Sequence, residues 1–202
     1  MSMKMDMVLA LALSAAPLAA PAADLSYTYV EAGVSRTDME LNSEFEDAVL
    51  IGGFMRGSLA IGESFYLLSG YESGTDSNWI GAPATEVSQL QLGGGLRRRL
   101  SDGVDFLTEA SYITRDISFR DFFGSASDSA SGYRVSSGLR GEFFTRLEAL
   151  AKANYTDVGD DSGEFSATLG AQFKFSKTWR LLGELVLGGD ISKYELGVRA
   201  SF

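Results

Sequence analysis

The sequence contains no cysteine and no histidine, and only 3 of its 202 residues are proline. Without cysteine the chain has no disulfides and no thiolate metal sites. Without histidine it has no Ser-His-Asp triad, no imidazole ligand and no histidine general base. Basic residues are also scarce, since 17 Lys and Arg stand against 27 Asp and Glu, a formal net charge of −10. A nucleic-acid-binding surface needs the opposite sign, so the charge balance argues against a nucleic-acid partner.

A hydrophobic run long enough for a transmembrane helix is also missing. The apolar stretch 7–16 is short, follows Lys4, and precedes small residues that include an A-x-A motif at 20–22. This order is typical of a secretory signal peptide, whereas a membrane-spanning helix needs ~20 apolar residues. We therefore expect residues 1–23 to be a cleaved signal peptide and residues 24–202 to be the exported domain.

The rest of the chain shows a period of two. In residues 193–202, Tyr, Leu, Val, Ala and Phe occupy one parity, and Lys, Glu, Gly, Arg and Ser occupy the other. This alternation indicates a β-strand with one apolar face and one polar face. Ten segments are candidate strands, at 25–36, 47–60, 64–73, 86–100, 104–116, 130–142, 145–156, 164–175, 178–189 and 193–202. The alternation is less clean in 47–60 and 64–73, and it is ambiguous in 25–36.

The connections and the aromatic residues point to a barrel in a membrane. Long connections, at 37–46, 74–85, 117–129 and 157–163, alternate with short ones, and aromatic residues cluster at both ends of the apolar faces. An even strand number, loops of unequal length and two aromatic girdles are typical of bacterial outer-membrane barrels. The sequence predicts an all-β fold, an antiparallel up-and-down transmembrane β-barrel of ten strands, with eight strands as the alternative. A soluble barrel with its apolar face inward is a further alternative.

Both ends of the exported domain resemble known proteins. Phe202 at the end of the last strand, with Val198, Leu196 and Tyr194 at alternate positions before it, resembles the signature that the outer-membrane assembly machinery reads. Residues 24–31 look like the opening of a family of small outer-membrane β-barrel proteins common in xanthomonad-like proteobacteria. The resemblance implies an outer-membrane location and the barrel assembly machinery as a partner during biogenesis, but no activity, because one fold hosts many functions.

Ionisable residues concentrate on the polar face of the strands, which faces the lumen if the apolar face meets lipid. The main lumen candidates are Arg97, Arg99, Asp105, Glu109, Arg134, Arg140, Glu148, Lys152, Glu184, Glu195 and Arg199. The same face carries Glu31, Arg56, Glu72, Arg115, Arg146, Glu164, Lys174, Arg180 and Lys193. One interpretation is an ion-pair network that fills a narrow lumen. The other is a narrow pore whose arginines favour anions.

The remaining acids concentrate in the long loops and at the adjoining strand tips. They are either solvated tips, or ligands for divalent cations that bridge to lipopolysaccharide phosphates, or a contact surface for a host partner. Asp157, Asp160 and Asp161 are the best local metal candidates, although the segment lacks the complete EF-hand pattern.

Taken together, these features predict a monomeric, non-enzymatic outer-membrane barrel without a cofactor. Its expected role is structural or surface-interacting, in envelope integrity, lipopolysaccharide packing or adhesion, with outer-membrane lipid and lipopolysaccharide as partners. A narrow, passive, mildly anion-preferring channel is the alternative function. A soluble periplasmic ligand-binding barrel is the second alternative.

Overall fold

The computed structural model describes residues 25–39, 48–76, 84–120, 125–159, 163–189 and 191–202. They form ten strands: β1 (Tyr29–Met39), β2 (Ala48–Ile61), β3 (Phe65–Asp76), β4 (Ala84–Ser101), β5 (Val104–Arg120), β6 (Ser125–Phe144), β7 (Leu147–Val158), β8 (Glu164–Lys174), β9 (Trp179–Gly188) and β10 (Ile191–Ser201). Each strand pairs antiparallel with its sequence neighbours, and β1 pairs with β10 to close the barrel. The ten-strand prediction is confirmed and the eight-strand alternative is wrong.

Alternation along each strand sets the two faces of the wall. In β10, Glu195 and Arg199 are buried in the lumen, while Tyr194, Leu196 and Val198 lie on the exposed outer face. The other strands follow the same rule, because successive side chains of a strand point to opposite faces. The soluble-barrel alternative required the apolar face inside, and the structure shows the reverse. In the described residues no helix is long and apolar enough to cross a membrane.

Tight turns join the strands at one end, which we call the short-turn end; the opposite end is the long-loop end. Two of these turns contain a glycine with positive φ, 69° at Gly62 and 79° at Gly103. A side chain in this left-handed region clashes with its own backbone, so glycine permits the reversal at low cost. The middle parts of the long loops and the predicted signal peptide lie outside the described residues.

The strands β4, β5 and β6 are longer than the sequence pattern predicted. The expected loop 117–129 is mostly strand, because β5 continues to Arg120 and β6 begins at Ser125. β7 ends at Val158 opposite Gly132, so residues 125–131 of β6 extend beyond β7. Neither face of this extension packs on a core, so its sequence carries no apolar alternation and only backbone pairing with β5 defines it.

The first strand begins later than predicted. Residues 25–28, which we call the N-terminal segment, leave the wall and fold into the lumen, and β1 starts at Tyr29. Leu25 and Tyr27 are only 4% and 3% exposed, and they pack with Tyr66 and Leu107. Burial of these large apolar side chains in the narrow mouth of the barrel is more favourable in free energy than an extension of the strand into water.

Candidate functional site in the barrel lumen

A small cavity occupies the lumen. Its volume is about 150 Å³, and its lining includes charged residues from opposite walls, such as Arg56, Glu109 and Lys193. This volume holds on the order of ten waters. Typical sites for drug-sized ligands are larger, at roughly 300–1,000 Å³. The lumen is therefore a hydrated, charged interior and not a wide pore.

Near the short-turn end, three cations converge on one carboxylate. Arg140 Nη2 lies 2.7 Å from Glu148 Oε2, Lys174 Nζ lies 3.0 Å from Glu148 Oε1, and Arg180 Nη1 donates a hydrogen bond to Glu148 Oε1. Lys174 also pairs with Glu142 at 2.5 Å. We call these five residues the Glu148 cluster. Its members come from β6, β7, β8 and β9, so the cluster ties four strands together.

In the middle of the lumen the arrangement is inverted, and one cation serves three carboxylates. Arg56 lies 2.7 Å from Glu31, 3.0 Å from Glu184 and 3.0 Å from Glu195. Arg199 pairs with Glu31 from the other side at 2.5 Å. These five residues form the Arg56 cluster, which spans β1, β2, β9 and β10. Shared partners of this kind offset the cost of removing each charge from water.

Two further ion pairs join strands that are not neighbours in the sheet. Lys152 Nζ is 2.9 Å from Glu109 Oε2, and Tyr66 Oη donates to Glu109 Oε1 at 2.8 Å. Lys193 Nζ is 2.7 Å from Glu72 Oε2. Lys152 on β7 and Glu109 on β5 are two strands apart, and Lys193 on β10 and Glu72 on β3 are three strands apart, so each pair bridges intervening strands on the lumen side.

Gly95 makes room for one of these groups. A Cβ atom at this position would lie 2.3 Å from the Tyr66 ring, so only glycine lets the ring rest on the backbone of β4. The triplet 93–95, which lies within β4, thus serves close packing in a strand.

Two arginines bind neutral groups. Arg134 Nε donates to Thr156 Oγ1 at 2.9 Å, and Arg115 Nη2 donates to Gln89 Oε1 at 3.1 Å. Within the described part of the chain, their hydrogen-bond acceptors are uncharged. The positive charge of Arg115 and Arg134 is therefore less compensated by direct contacts than the charges of the Arg56 and Glu148 clusters.

The structure places all eleven main lumen candidates at inward-facing positions. Arg99 is the most exposed, with its Nε 3.7 Å from Asp105 Oδ1 at the short-turn end. Two residues of the wider set lie elsewhere: Arg146 is exposed in the turn before β7, and Glu164 is exposed at the first position of β8. Both residues keep the inward parity of their strands at an end of the wall, which is why the sequence pattern included them.

The metal candidates are not brought together in the part that the structure describes. Asp157 lies on the outer face of β7, where its carboxylate accepts a hydrogen bond from Tyr133 Oη at 3.2 Å. Asp160 and Asp161 lie outside the described residues. Among the described residues, no group of three or more acidic side chains is placed to hold a metal ion.

The residues of the C-terminal signature lie on the outer face of the last strand. Tyr194, Leu196 and Val198 are exposed there. Phe202 follows the end of β10, and its N–H donates to the carbonyl of Thr28 at 2.9 Å. The two ends of the barrel wall thus meet next to the N-terminal segment.

Sequence reasoning missed the role of the N-terminal segment in the lumen. Tyr27 Oη donates to Asp105 Oδ2 at 2.9 Å, and the guanidinium groups of Arg97 and Arg140 lie over the Tyr27 ring at 4.5 and 4.9 Å. The only signal in the sequence was that Leu25 and Tyr27 share the inward parity of Glu31, where a strand tip in water would carry small or polar residues.

Comparison with known proteins identifies a shared fold. No protein-family profile matches the chain, and no curated protein matches its sequence. Solved structures that are similar include the transport unit of the autotransporter AIDA-I from Escherichia coli (TM-score 0.54, 12% identity, covering 100% of this chain and 98% of that one). They also include the KdgM porin in complex with disordered oligogalacturonate (0.53, 12%, 86% and 99%). A third is Ail, the attachment invasion locus protein of Yersinia pestis (0.51, 11%, 88% and 99%).

Proposed function

We propose that this protein is a non-enzymatic barrel of the bacterial outer membrane, with a structural or surface-interaction role and a lumen that is closed to solutes. The observation that carries the proposal is the orientation of the wall. Its outer face is a continuous apolar surface with residues such as Leu92, Leu169 and Leu196 exposed, while paired charges fill the inside. A barrel in water would expose the charges, whereas a barrel in lipid needs this arrangement.

Closure of the lumen is supported by the ion-pair clusters that fill it. The Arg56 cluster and the Glu148 cluster each join four strands, and the cavity of about 150 Å³ is smaller than a typical ligand site. Wide aqueous channels occur in barrels of 16–18 strands, and small barrels are largely filled by side chains.

A surface role is supported by the long-loop end. The extension formed by β4, β5 and β6 reaches beyond the rest of the wall, and Asp116 and Asp128 are exposed on it. Among the similar structures, Ail has been solved with the heparin analogue sucrose octasulfate. The acidic long-loop end of the present chain fits a cationic partner, or lipopolysaccharide phosphates bridged by divalent cations, better than a sulfated polyanion.

The proposal includes the route to the membrane. Cleavage after residues 1–23 would release an exported chain. Tyr194, Leu196, Val198 and Phe202 would then present the alternating signature to the barrel assembly machinery. Closure of β1 on β10 pairs the edges of the sheet within one chain, which supports a monomer.

Two measurements test this function. Cell fractionation followed by electrophoresis of heated and unheated samples should show an outer-membrane protein whose mobility changes on heating. Planar bilayers containing the purified protein should remain silent at voltages at which a porin control conducts. A freely soluble product would contradict the location, and reproducible single-channel steps from the native protein would contradict closure.

The second candidate, a narrow anion-preferring channel, rests on Arg115 and Arg134. Their neutral partners leave positive charge available to a passing anion. If the native protein conducts, Arg134→Glu should reduce or reverse its anion preference. Arg36→Glu is the matched control, because Arg36 pairs with Asp38 on the outer face and should leave selectivity unchanged.

A further inference from the structure

The N-terminal segment has more contacts with the barrel mouth than a loosely folded chain end needs. Its backbone is held from two walls, since Arg140 Nη1 donates to the carbonyl of Ser26 at 3.0 Å and Arg97 Nη1 approaches the carbonyl of Leu25 at 3.5 Å. Ser26 Oγ donates to the carbonyl of Phe202 at 2.9 Å. The segment is thus bound on β4, on β6 and at the end of β10.

The side chain of Tyr27, the one large polar side chain of the N-terminal segment, is bound as closely as the backbone. The Tyr27 hydroxyl donates to buried Asp105, and its ring packs against Tyr66 with the ring centroids 5.0 Å apart. Arg97 and Arg140 lie over the same ring. The mouth therefore offers a carboxylate for the hydroxyl, guanidinium groups for the ring and an apolar base for Leu25, which together form a complementary peptide-binding site.

The segment lies between the lumen cavity and the short-turn end. Tyr27 and Arg140 are part of the lining of the cavity, together with groups near the long-loop end such as Gln89 and Lys193. Leu25 and Tyr27 fill the mouth on the other side of this lining. If the segment moved out, the hydrated cavity would open directly to the short-turn end.

We propose that the mouth of the barrel is a binding site for residues 25–28, and that this segment is a displaceable stopper which closes a narrow aqueous path through the lumen. The bound ligand is a short extended peptide with a tyrosine at its third position, supplied by the chain itself. The inference depends on the closed lumen of the proposed function, which conductance of the native protein tests by itself. The stopper is tested by the difference between a variant and the native protein, in conductance and in the labelling of the segment.

The central variant is Tyr27→Phe, which keeps the ring and removes only the hydroxyl that binds Asp105. Loss of one hydrogen bond to a charged group should raise the open fraction by about tenfold or more. In planar bilayers this appears as brief conducting events from the variant at voltages at which the native protein is silent. Tyr133→Phe is the matched control, because it removes a tyrosine hydroxyl from a carboxylate, at Asp157, on the outer face and away from the segment.

A second readout follows the segment itself. The chain has no cysteine, so Ser26→Cys supplies a unique thiol on the segment. Its reaction with a membrane-impermeant thiol reagent should be slow in the otherwise native chain and about tenfold faster when combined with Tyr27→Phe. Asp105→Asn weakens the same hydrogen bond from the wall and should act in the same direction, so the test does not depend on one variant.

The outcomes separate the alternatives. Conducting events and faster labelling with Tyr27→Phe, and not with Tyr133→Phe, support the stopper. If Tyr27→Phe behaves as the native protein in both measurements, the stopper is excluded. It is also excluded if Tyr133→Phe gives the same changes, because a general loosening of the barrel would then explain both.

Discussion

At the scale of single residues, the charges of the Glu148 cluster and the Arg56 cluster are stable because they are shared. A lone charge in a narrow, poorly solvated interior loses its hydration, and one Coulombic partner often does not compensate for that loss. Glu148 has three cationic neighbours, and Arg56 has three carboxylate neighbours. Removal of the central member of such a group leaves several buried like charges facing one another.

Glu148→Gln should therefore destabilise the barrel strongly. The neutral amide leaves Arg140, Arg180 and Lys174 without their shared anion, and breaking a buried pair in this way costs about 3–5 kcal/mol. The measurement is urea-induced unfolding in phospholipid vesicles, followed by the shift in electrophoretic mobility.

Glu63→Gln is the control for this change, because Glu63 is exposed in the turn between β2 and β3. An exposed substitution of this kind should stay within roughly 0.5 kcal/mol of the native free energy of unfolding. Equal midpoints for the two variants would mean that the Glu148 cluster contributes no net stability.

At the scale of the element, β8 presents an apolar face whose depth in lipid is set by its aromatic ends. Phe165 and Phe173 lie near its two ends on the outer face, and Leu169 lies between them. Aromatic girdles mark the two interfaces of a membrane barrel, so Leu169 is expected near the bilayer midplane.

Arginine substitutions on this face should show the depth. Leu169→Arg should lower the free energy of unfolding in vesicles by about 2–4 kcal/mol, whereas Phe165→Arg, nearer the interface, should cost about 0–1 kcal/mol for the charge. Both variants are measured by the same urea titration. Equal effects at the two positions would indicate that lipid does not cover this face.

The extension of β6 beyond β7 makes a prediction at the same scale. Gly159 N–H donates to the carbonyl of Ser131, so odd residues of β6 point their backbone groups towards the β7 side. On the long-loop side of Ser131, β6 has no β7 partner, and the N–H of Ser129 instead donates to the side chain of its neighbour Asp128. The amides of Ser127 and Ser129 should exchange rapidly with solvent deuterium, and those of Ala126 and Ala130 should be protected by β5.

Amide exchange measured by NMR in detergent micelles resolves this pattern, because the two groups alternate along one strand. Slow exchange at Ser127 and Ser129 would show that another part of the chain pairs with the β6 edge. Rapid exchange at all four residues would show that the β5–β6 pairing of the extension does not persist.

At the scale of the whole molecule, the features that the sequence predicted are those that lipid imposes. Lipid demands an apolar outer face, so period-two alternation located the ten strands, as in β10. Alternation is not required where both faces of a strand contact water, so the sequence pattern predicts loop at residues 117–120 and 125–129, where the structure has strand. The Arg56 cluster contains residues 31, 56, 184, 195 and 199. These residues come from the two ends of the chain and are brought together only because β1 pairs with β10.

The position of the N-terminal segment was beyond sequence reasoning for a different reason. Leu25 and Tyr27 continue the inward parity of the first strand, so alternation alone extends that strand to residue 25. Burial of the two side chains in the mouth depends on Tyr66, Asp105 and Leu107, which are distant in sequence. The mouth forms only when the barrel closes, so alternation along a single strand does not predict it.

The distribution of charge over the whole molecule gives the last prediction. Exposed acids such as Asp116 and Asp128 crowd the long-loop end, whereas the charges of the Arg56 and Glu148 clusters are mutually paired inside the barrel. Salt shortens the Debye length from about 30 Å at 0.01 M to about 8 Å at 0.15 M, and it screens exposed charges far more than buried pairs. Stability should therefore rise with NaCl over this range, since repulsion among the loop-end acids weakens. The double variant Asp116→Asn/Asp128→Asn should be more stable than the native protein at low salt and should respond less to added salt. A fall in stability with salt would instead mean that solvent ions reach and screen the lumen pairs.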